Sequence, residues 1–280
     1  MFLLGWVTDH LTFSEFHATL LLSPPHNIAQ LLSSESLLSP ATDVKLKHGV
    51  IGLLKHLSQS SAQSVLNRTA LSNAGIIERI AASGVWDDRG DVMADIVQVN
   101  AIGVVKHLCS NSSRSGLLTQ RFPFLTMHST QVDNSFAVIF PSDGATAAAT
   151  GLSQLLALVK RSDTVAIKSE GTRVIVNLTK SLWSSDPAIE QRNAEENQTR
   201  QQKRERAIQA LVTPPCIDAL AALAGRSVKY PILINEAIVA LSLLSTHRDG
   251  GKFIRSTYTI IVLTYVRPVG LAHPYSTPPK

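Results

Sequence analysis

One phrase is written twice in this chain, and it limits the fold more than anything else in it. The first copy is Lys47-His48-Gly49-Val50-Ile51-Gly52-Leu53-Leu54-Lys55-His56-Leu57, and the second is Gln98-Val99-Asn100-Ala101-Ile102-Gly103-Val104-Val105-Lys106-His107-Leu108. Isoleucine, glycine and the closing Lys-His-Leu keep their order, and His107 follows His56 by 51 residues. Looser copies run from Glu170 to Leu178 and from Glu236 to Leu244. Self-similarity at such a period marks units that bury their apolar faces by stacking on one another. Stacks of this kind usually serve as binding surfaces.

Composition agrees with stacked helices. Aromatic residues make up 5% of the chain and hydrophobic residues 44%, so the core must be built from Leu, Ile, Val and Ala. The net charge of +5 is spread among interspersed acids and bases. Nucleic-acid binders concentrate Lys and Arg on one face, so no nucleic-acid partner is expected. The two cysteines, Cys109 and Cys216, lack zinc or redox spacing and suit a reducing cytosol. The apolar Met1–Val7 stretch has no basic flank and makes a poor signal peptide. No apolar run approaches the ~20 residues of a membrane span, so no integral membrane segment is expected. Sequons stand at Asn67, Asn111, Asn177 and Asn197 and mean nothing without secretion.

Taken in order, residues 1–26 read as an irregular segment ending at Ser23-Pro24-Pro25. A helical pattern opens behind Asn27 with Ile28, Leu31 and Leu32. Asp43 is the expected N-cap of the first phrase helix, whose apolar face is Val44, Leu46, Val50, Leu53, Leu54 and Leu57. A short helix from Val65 to Asn73 stops at Gly75, a second from Ile76 to Ala82 stops at Gly84, and Asp91 opens the long second phrase helix. Residues 121–150 read as a low-order insertion, with Ser135–Phe140 a strand or nothing. Periodicity resumes at Leu152, and Asp163 is the expected cap of the third long helix, which runs through Leu182. Asp186-Pro187 opens a helix in the favoured way. The run from Glu190 to Arg206 is a solvated helix or a flexible loop, and its Lys203-Arg204-Glu205-Arg206 cluster is a solvated face. Pro214-Pro215 leads into a helix with Ile217, Leu220, Ala221 and Leu223. Pro231 precedes the fourth long helix, which ends at His247 to Gly251. Residues 252–280 read as an irregular tail, with Tyr258 to Val266 outside the repeat.

Short helix, glycine, medium helix, loop, long helix is the order of an armadillo repeat, and Asn73-Ala74-Gly75-Ile76-Ile77 resembles that family's corner. Glycine there permits a sharp turn between helices. The expected fold is therefore all-α: a right-handed α-solenoid of armadillo-type repeats over residues 27–251, with irregular insertions. Catalytic patterns are missing. There is no P-loop, zinc-protease helix or nucleophile elbow. Asp249-Gly250-Gly251-Lys252 reads as a helix C-terminal turn. His56 and His107 lie one repeat apart, too far for shared metal ligation at an interhelical spacing of about 10 Å. No catalytic residue, cofactor or metal is expected, and the chain is read as a binding protein.

Aligning the copies puts His56, His107, Asn177 and Leu243 in one column. The residue before the closing Leu in armadillo families is commonly an Asn facing the concave groove. The resemblance thus implies a protein-binding strip of His56, His107 and Asn177, joined by Arg173 one turn earlier and by Asn100, Glu170 and Glu236 seven residues before the column. The alternative is that these residues only solvate exposed helix faces. Importin-type grooves place Trp where this chain has Gly52, Gly103, Arg173 and Val239, so nuclear-signal binding is not expected.

Ser83-Gly84-Val85-Trp86-Asp87-Asp88, Met93-Ala94-Asp95-Ile96-Val97-Gln98 and Ala101–Leu108 together resemble fungal relatives of the small-GTPase GDP-dissociation stimulator. The resemblance covers residues 43–110 best and 152–250 loosely. It implies a cytosolic protein, also placed at the endoplasmic reticulum or mitochondria. Such a protein would bind Rho- and Ras-type GTPases, including prenylated ones, favour nucleotide release and act as a chaperone. Exchange would work by holding the nucleotide-free GTPase better than the loaded one. Glu170, Glu236 and Asp163 would be the acids offered to a polybasic GTPase tail. The alternative function is a scaffold or adaptor that binds peptides or proteins through the same groove.

Overall fold

The computed structural model describes residues 15–59, 64–90, 92–110, 127–140, 151–185, 192–226 and 229–256. Every regular element among them is a helix. In chain order these are α1 (Glu15–Leu22), α2 (Ile28–Leu32), α3 (Val44–Ser58), α4 (Ser64–Asn73), α5 (Ile76–Ala82) and α6 (Val92–Leu108). They continue as α7 (Met127–Ile139), α8 (Gly151–Arg161), α9 (Val165–Trp183), α10 (Ala194–Leu211), α11 (Pro214–Arg226) and α12 (Pro231–Ser245). Residues 250–256 add a short helical stretch.

The four phrase copies fall on α3, α6, α9 and α12, and these helices pack in that order: α3 on α6, α6 on α9, α9 on α12. The sequence pattern accounts for this. In α3 the buried residues Val50, Ile51, Leu54 and Leu57 recur at helical spacing on one stripe. α6 lies between two neighbours and is buried almost all round its middle, through Ala101, Ile102, Gly103, Val104 and Val105. α9 repeats this with Val174, Ile175, Val176 and Leu178. A helix sandwiched between two others needs apolar residues on opposite faces, which is why the second and third phrases read as nearly continuous apolar runs. The shorter helices lie against this row: α4 contacts α3, α8 contacts α9, and α11 contacts α9 and α12.

Local signals were read correctly at several ends. Asp43 accepts from the backbone N–H groups of Lys45 (2.9 Å) and Leu46 (3.3 Å) and so caps α3. Gly75, at φ 69°, makes the corner between α4 and α5, and Gly84, at φ 72°, follows α5. A side chain at either position would be held in the left-handed region. Pro231 occupies the first turn of α12. Asp249-Gly250-Gly251-Lys252, read as a helix C-terminal turn, instead opens the helical stretch 250–256, with an ion pair of 3.2 Å between Lys252 and Asp249.

Other expectations need correction. The stretch read as a strand or a low-order insertion contains α7, whose Val132, Phe136 and Ile139 are buried against the core. Its spacing of 4 and 3 is helical, but Asp133, Asn134 and Ser135 between Val132 and Phe136 hid it. Residues 121–126 and 141–150 lie outside the described residues. The N-terminal irregular segment contains α1, with Ala18 and Leu22 buried. Of the two readings of the charged run, the helix is the one found: it is α10, capped by Asn193, which accepts from the Glu196 N–H at 2.8 Å. Asp163 does not cap α9. Thr164 is the boundary residue, and its hydroxyl donates across to Asp95 on α6 at 2.8 Å. Leu46, assigned to the buried face of α3, is exposed. The expected helix starts at Asp91 and Asp186-Pro187, and the segment from Tyr258 to Val266, lie outside the described residues.

Candidate functional site

The residues singled out for binding lie on the four long helices, and six of the seven are bonded within the protein, three of them, Glu170, Arg173 and Glu236, to one another. From α3, Lys55 reaches forward and its Nζ donates to Asn100 Oδ1 on α6 at 2.9 Å. Its stem lies over Gly103, where an added Cβ would come within 3.2 Å of Lys55 Cε. From α6, Lys106 pairs with Glu170 on α9. Arg173, one turn further along α9, pairs with Glu170 at 3.2 Å and with Glu236 on α12 at 3.0 Å. A cation therefore reaches from each long helix to the next, and its acceptor always stands seven residues before the phrase column.

Electrostatics follow from that geometry. Burial alone would raise the Glu170 carboxyl, but the hydrogen bond and charge of Lys106, together with Arg173, outweigh it and hold it below the ordinary carboxylate range. Burial acts to lower the Arg173 guanidinium, and its bonds to Glu236 and Glu170 more than reverse this. These ion pairs are partly buried, so each is stronger than a surface pair but also carries a desolvation cost. Replacing Arg173 with alanine is expected to lower folding stability by about 1–2 kcal/mol, because Glu170 and Glu236 then lose a shared partner. Urea denaturation of the variant against the parent chain reads this directly; an unchanged midpoint would show the pairs to be neutral.

The column residues point back along the stack. Asn177 Nδ2 donates to the Lys106 carbonyl at 3.1 Å, satisfying an end carbonyl of α6. His107 Nδ1 lies 3.2 Å from Ser58 Oγ at the end of α3. Ser58 Oγ itself donates to the Lys55 carbonyl at 2.9 Å, which leaves its lone pairs for the N–H of a neutral imidazole. Arg68, buried on α4, donates to the His107 carbonyl at 3.3 Å and to Ser110 Oγ at 2.8 Å. His56 holds the same register on α3 and is half-buried. His107 and Asn177 thus tie each long helix to the one before it.

Sequence reading missed Lys55, Lys106 and Arg68. The signal for the two lysines was present in the repeated Lys-His-Leu; Arg68 had none, since its partners are 39 and 42 residues away. The basic cluster of α10 is also used internally. Arg204 donates to the carbonyls of Leu182 (2.7 Å) and Ser184 and so closes the C-terminus of α9. Arg200 pairs with Asp133, and both Arg200 and Lys203 lie over the Phe136 ring of α7 at 5.5 and 5.2 Å.

Two hollows lie away from the strip. One, of about 510 Å³, is mostly apolar and lies between α8, α9 and α11, lined by Leu156, Ala157, Ala219 and Ala222 with Lys160 and Asp218. The other, about 360 Å³, is polar and sits at the starts of α6 and α9, with Asp88, Arg89, Arg161 and Asp163. Among the described residues no group of three or more His, Cys, Asp or Glu side chains is placed to hold a metal ion. Among the same residues no single helix is long and apolar enough to cross a membrane. No protein-family model, curated protein or solved structure matches the chain.

Proposed function

We propose that this chain is a stack of armadillo-type repeats that binds other proteins, with small GTPases of the Rho/Ras class as the partners. The observation that carries this reading is the side-by-side row of α3, α6, α9 and α12 with one polar strip running across it. Such a row presents a surface longer than any single helix, the usual basis of recognition by repeat proteins. The GTPase assignment rests on the wording of residues 83–108 and its resemblance to GDP-dissociation stimulators. Half-buried Glu170 and Glu236 on the strip provide acids that a basic GTPase segment would meet.

On this reading the stack holds the nucleotide-free GTPase more tightly than the loaded form and shifts its population accordingly. Pull-down of a Rho/Ras panel in nucleotide-free, GDP-loaded and GTP-loaded states is the direct test. Preferential capture of the nucleotide-free state, with faster release of mant-GDP, is the expected result. Equal capture in all three states, or none, would remove the GTPase role. A second reading is a scaffold for extended peptides held along the same polar strip; Asn177 and His107 are engaged with the preceding helices, so Glu170 and Glu236 would be its contacts. Peptide capture that E170Q and E236Q weaken, without GTPase capture, would select it.

A further inference from the structure

Two of the shorter helices, α8 and α11, pack on α9 and against one another, yet leave a gap between them. Their large side chains are spent on the core: Leu152 and Leu155 of α8 and Ile217, Leu220 and Leu223 of α11 are all buried in it. The sides that line the gap carry Leu156, Ala157 and Lys160 on α8 and Asp218, Ala219 and Ala222 on α11, with the same one-and-four spacing on both helices. Three of these six positions are alanines, whose methyl groups cannot fill the space. The core also keeps the two helices from closing it. Gly171 lets α8 seat on α9 so closely that an added Cβ there would lie 2.5 Å from Val159 Cγ2. α8 is thus held to α9 by its buried face, and α11 by its own, so the width of the gap is set behind it.

Size and chemistry narrow what would fill it. The hollow of about 510 Å³ is within the range that takes a small organic molecule, and its lining is mostly apolar. Its charged groups are two cations, Lys160 and Lys168, and one acid, Asp218, a net single positive charge. Among the described residues Ser153 is the remaining polar side chain of the lining. A nucleotide or sugar would leave most of its polar edge unpaired there, at the desolvation cost of each buried donor and acceptor. An apolar cation would meet the wrong sign. Lys160 stands exposed at the last turn of α8 and makes no hydrogen bond or ion pair among the described residues. Its ammonium is therefore placed at the edge of the apolar hollow with its donors turned over to solvent.

We propose that the gap between α8 and α11 is a binding site for a small amphiphilic acid, an apolar body bearing one carboxylate. The body lies on Leu156, Ala157, Ala219 and Ala222, and the carboxylate accepts from the Lys160 ammonium. Lys168 adds to the positive field, and one negative charge on the ligand neutralises the lining as a whole. The site lies away from the polar strip across α3, α6, α9 and α12, so it stands or falls independently of the partner assigned to that strip.

Decanoate is titrated into the full chain by isothermal calorimetry, below its micelle concentration, beside acetate and decyltrimethylammonium. The expected result is one decanoate bound per chain and no binding of acetate. Decyltrimethylammonium, with the same chain and the opposite charge, is expected to bind weaker by about tenfold. K160E, at an exposed position, is expected to weaken decanoate by about fivefold and to remove the preference between the two heads. A222W, also at an exposed position, fills the hollow and is expected to abolish decanoate binding at an unchanged urea midpoint. Equal affinity for the two chain molecules overturns the proposal, since the apolar lining alone would then be acting. So does decanoate binding that K160E and A222W leave unchanged, or no decanoate binding at all.

Discussion

Ile102→Ala is expected to lower folding stability by about 2–5 kcal/mol, read as a lower denaturant midpoint at unchanged slope. Ile102 is 0% exposed at the middle of α6, the helix that packs on both α3 and α9. Its Cδ1 lies 3.7 Å from where a Cβ on Gly171 would be. That same Cβ would sit 2.5 Å from Val159 Cγ2, so α9 approaches α8 too closely for any side chain at position 171. Glycine lets the helices close, and Ile102 fills the space that remains on the α6 side. Relaxation into the vacancy is limited because α3 and α9, which pack on either side of α6, carry fully buried side chains of their own, Leu54, Val174 and Ile175 among them. Ile96→Ala on the same helix, at a 41% exposed position, is expected to change stability by no more than about 0.5 kcal/mol. Equal losses at the two positions would mean that α6 is not buried from both sides.

Acid is expected to weaken the fold over a window that His107 defines. Burial, with the charges of Lys106, Lys55 and Arg68, lowers its imidazole from 6.5 to about 4, against a small opposing pull from Glu170. The unfolded chain then binds a proton between those values that the folded chain refuses. Stability contributed by the neutral ring is full above about pH 6.5, falls as pH drops, and is gone near pH 4. The size of the shift corresponds to roughly 3 kcal/mol across that window. His107→Gln removes the titration while keeping a group able to bond Ser58, so its stability curve should be flatter than the parent's from pH 6.5 to 4.5. Parallel curves would show that His107 does not titrate as its surroundings require. Glu170 acts in a lower window: its depressed carboxyl adds stability that is present above the ordinary carboxylate range and lost as pH falls through its folded value. The two contributions separate on the pH axis, so R173A and H107Q should alter different parts of the curve.

The repeated phrase carried much of the architecture because period and polarity are local. Val50, Ile51, Leu54 and Leu57 announce a helix and its buried stripe without reference to anything else. Asp43 and Gly75 announce a start and a corner for equally local reasons: a carboxylate facing free N–H groups, and a backbone in the left-handed region. α7 shows where local evidence is too thin, since three apolar side chains among polar ones are a helix face only when a core stands opposite.

The polar strip was legible as a set of columns but not as a set of partners. Asn177 and His107 carry the same label in sequence, a hydrogen-bonding residue before leucine, whether they face a ligand or the helix behind them. Stacking decided that they face backward, because the end of the preceding helix offers a carbonyl at Lys106 and a hydroxyl at Ser58 within reach. The same holds for Arg173: its residue type declares a charge, and only the placement of α9 between α6 and α12 gives that charge two carboxylates. Sequence by itself determined which residues are apolar at helical spacing and where helices begin and turn, since those depend on neighbours a few residues away. Tertiary structure alone decided which polar groups meet from one long helix to the next, because those partners lie 45 to 71 residues apart and are joined only by the stacking of separate helices.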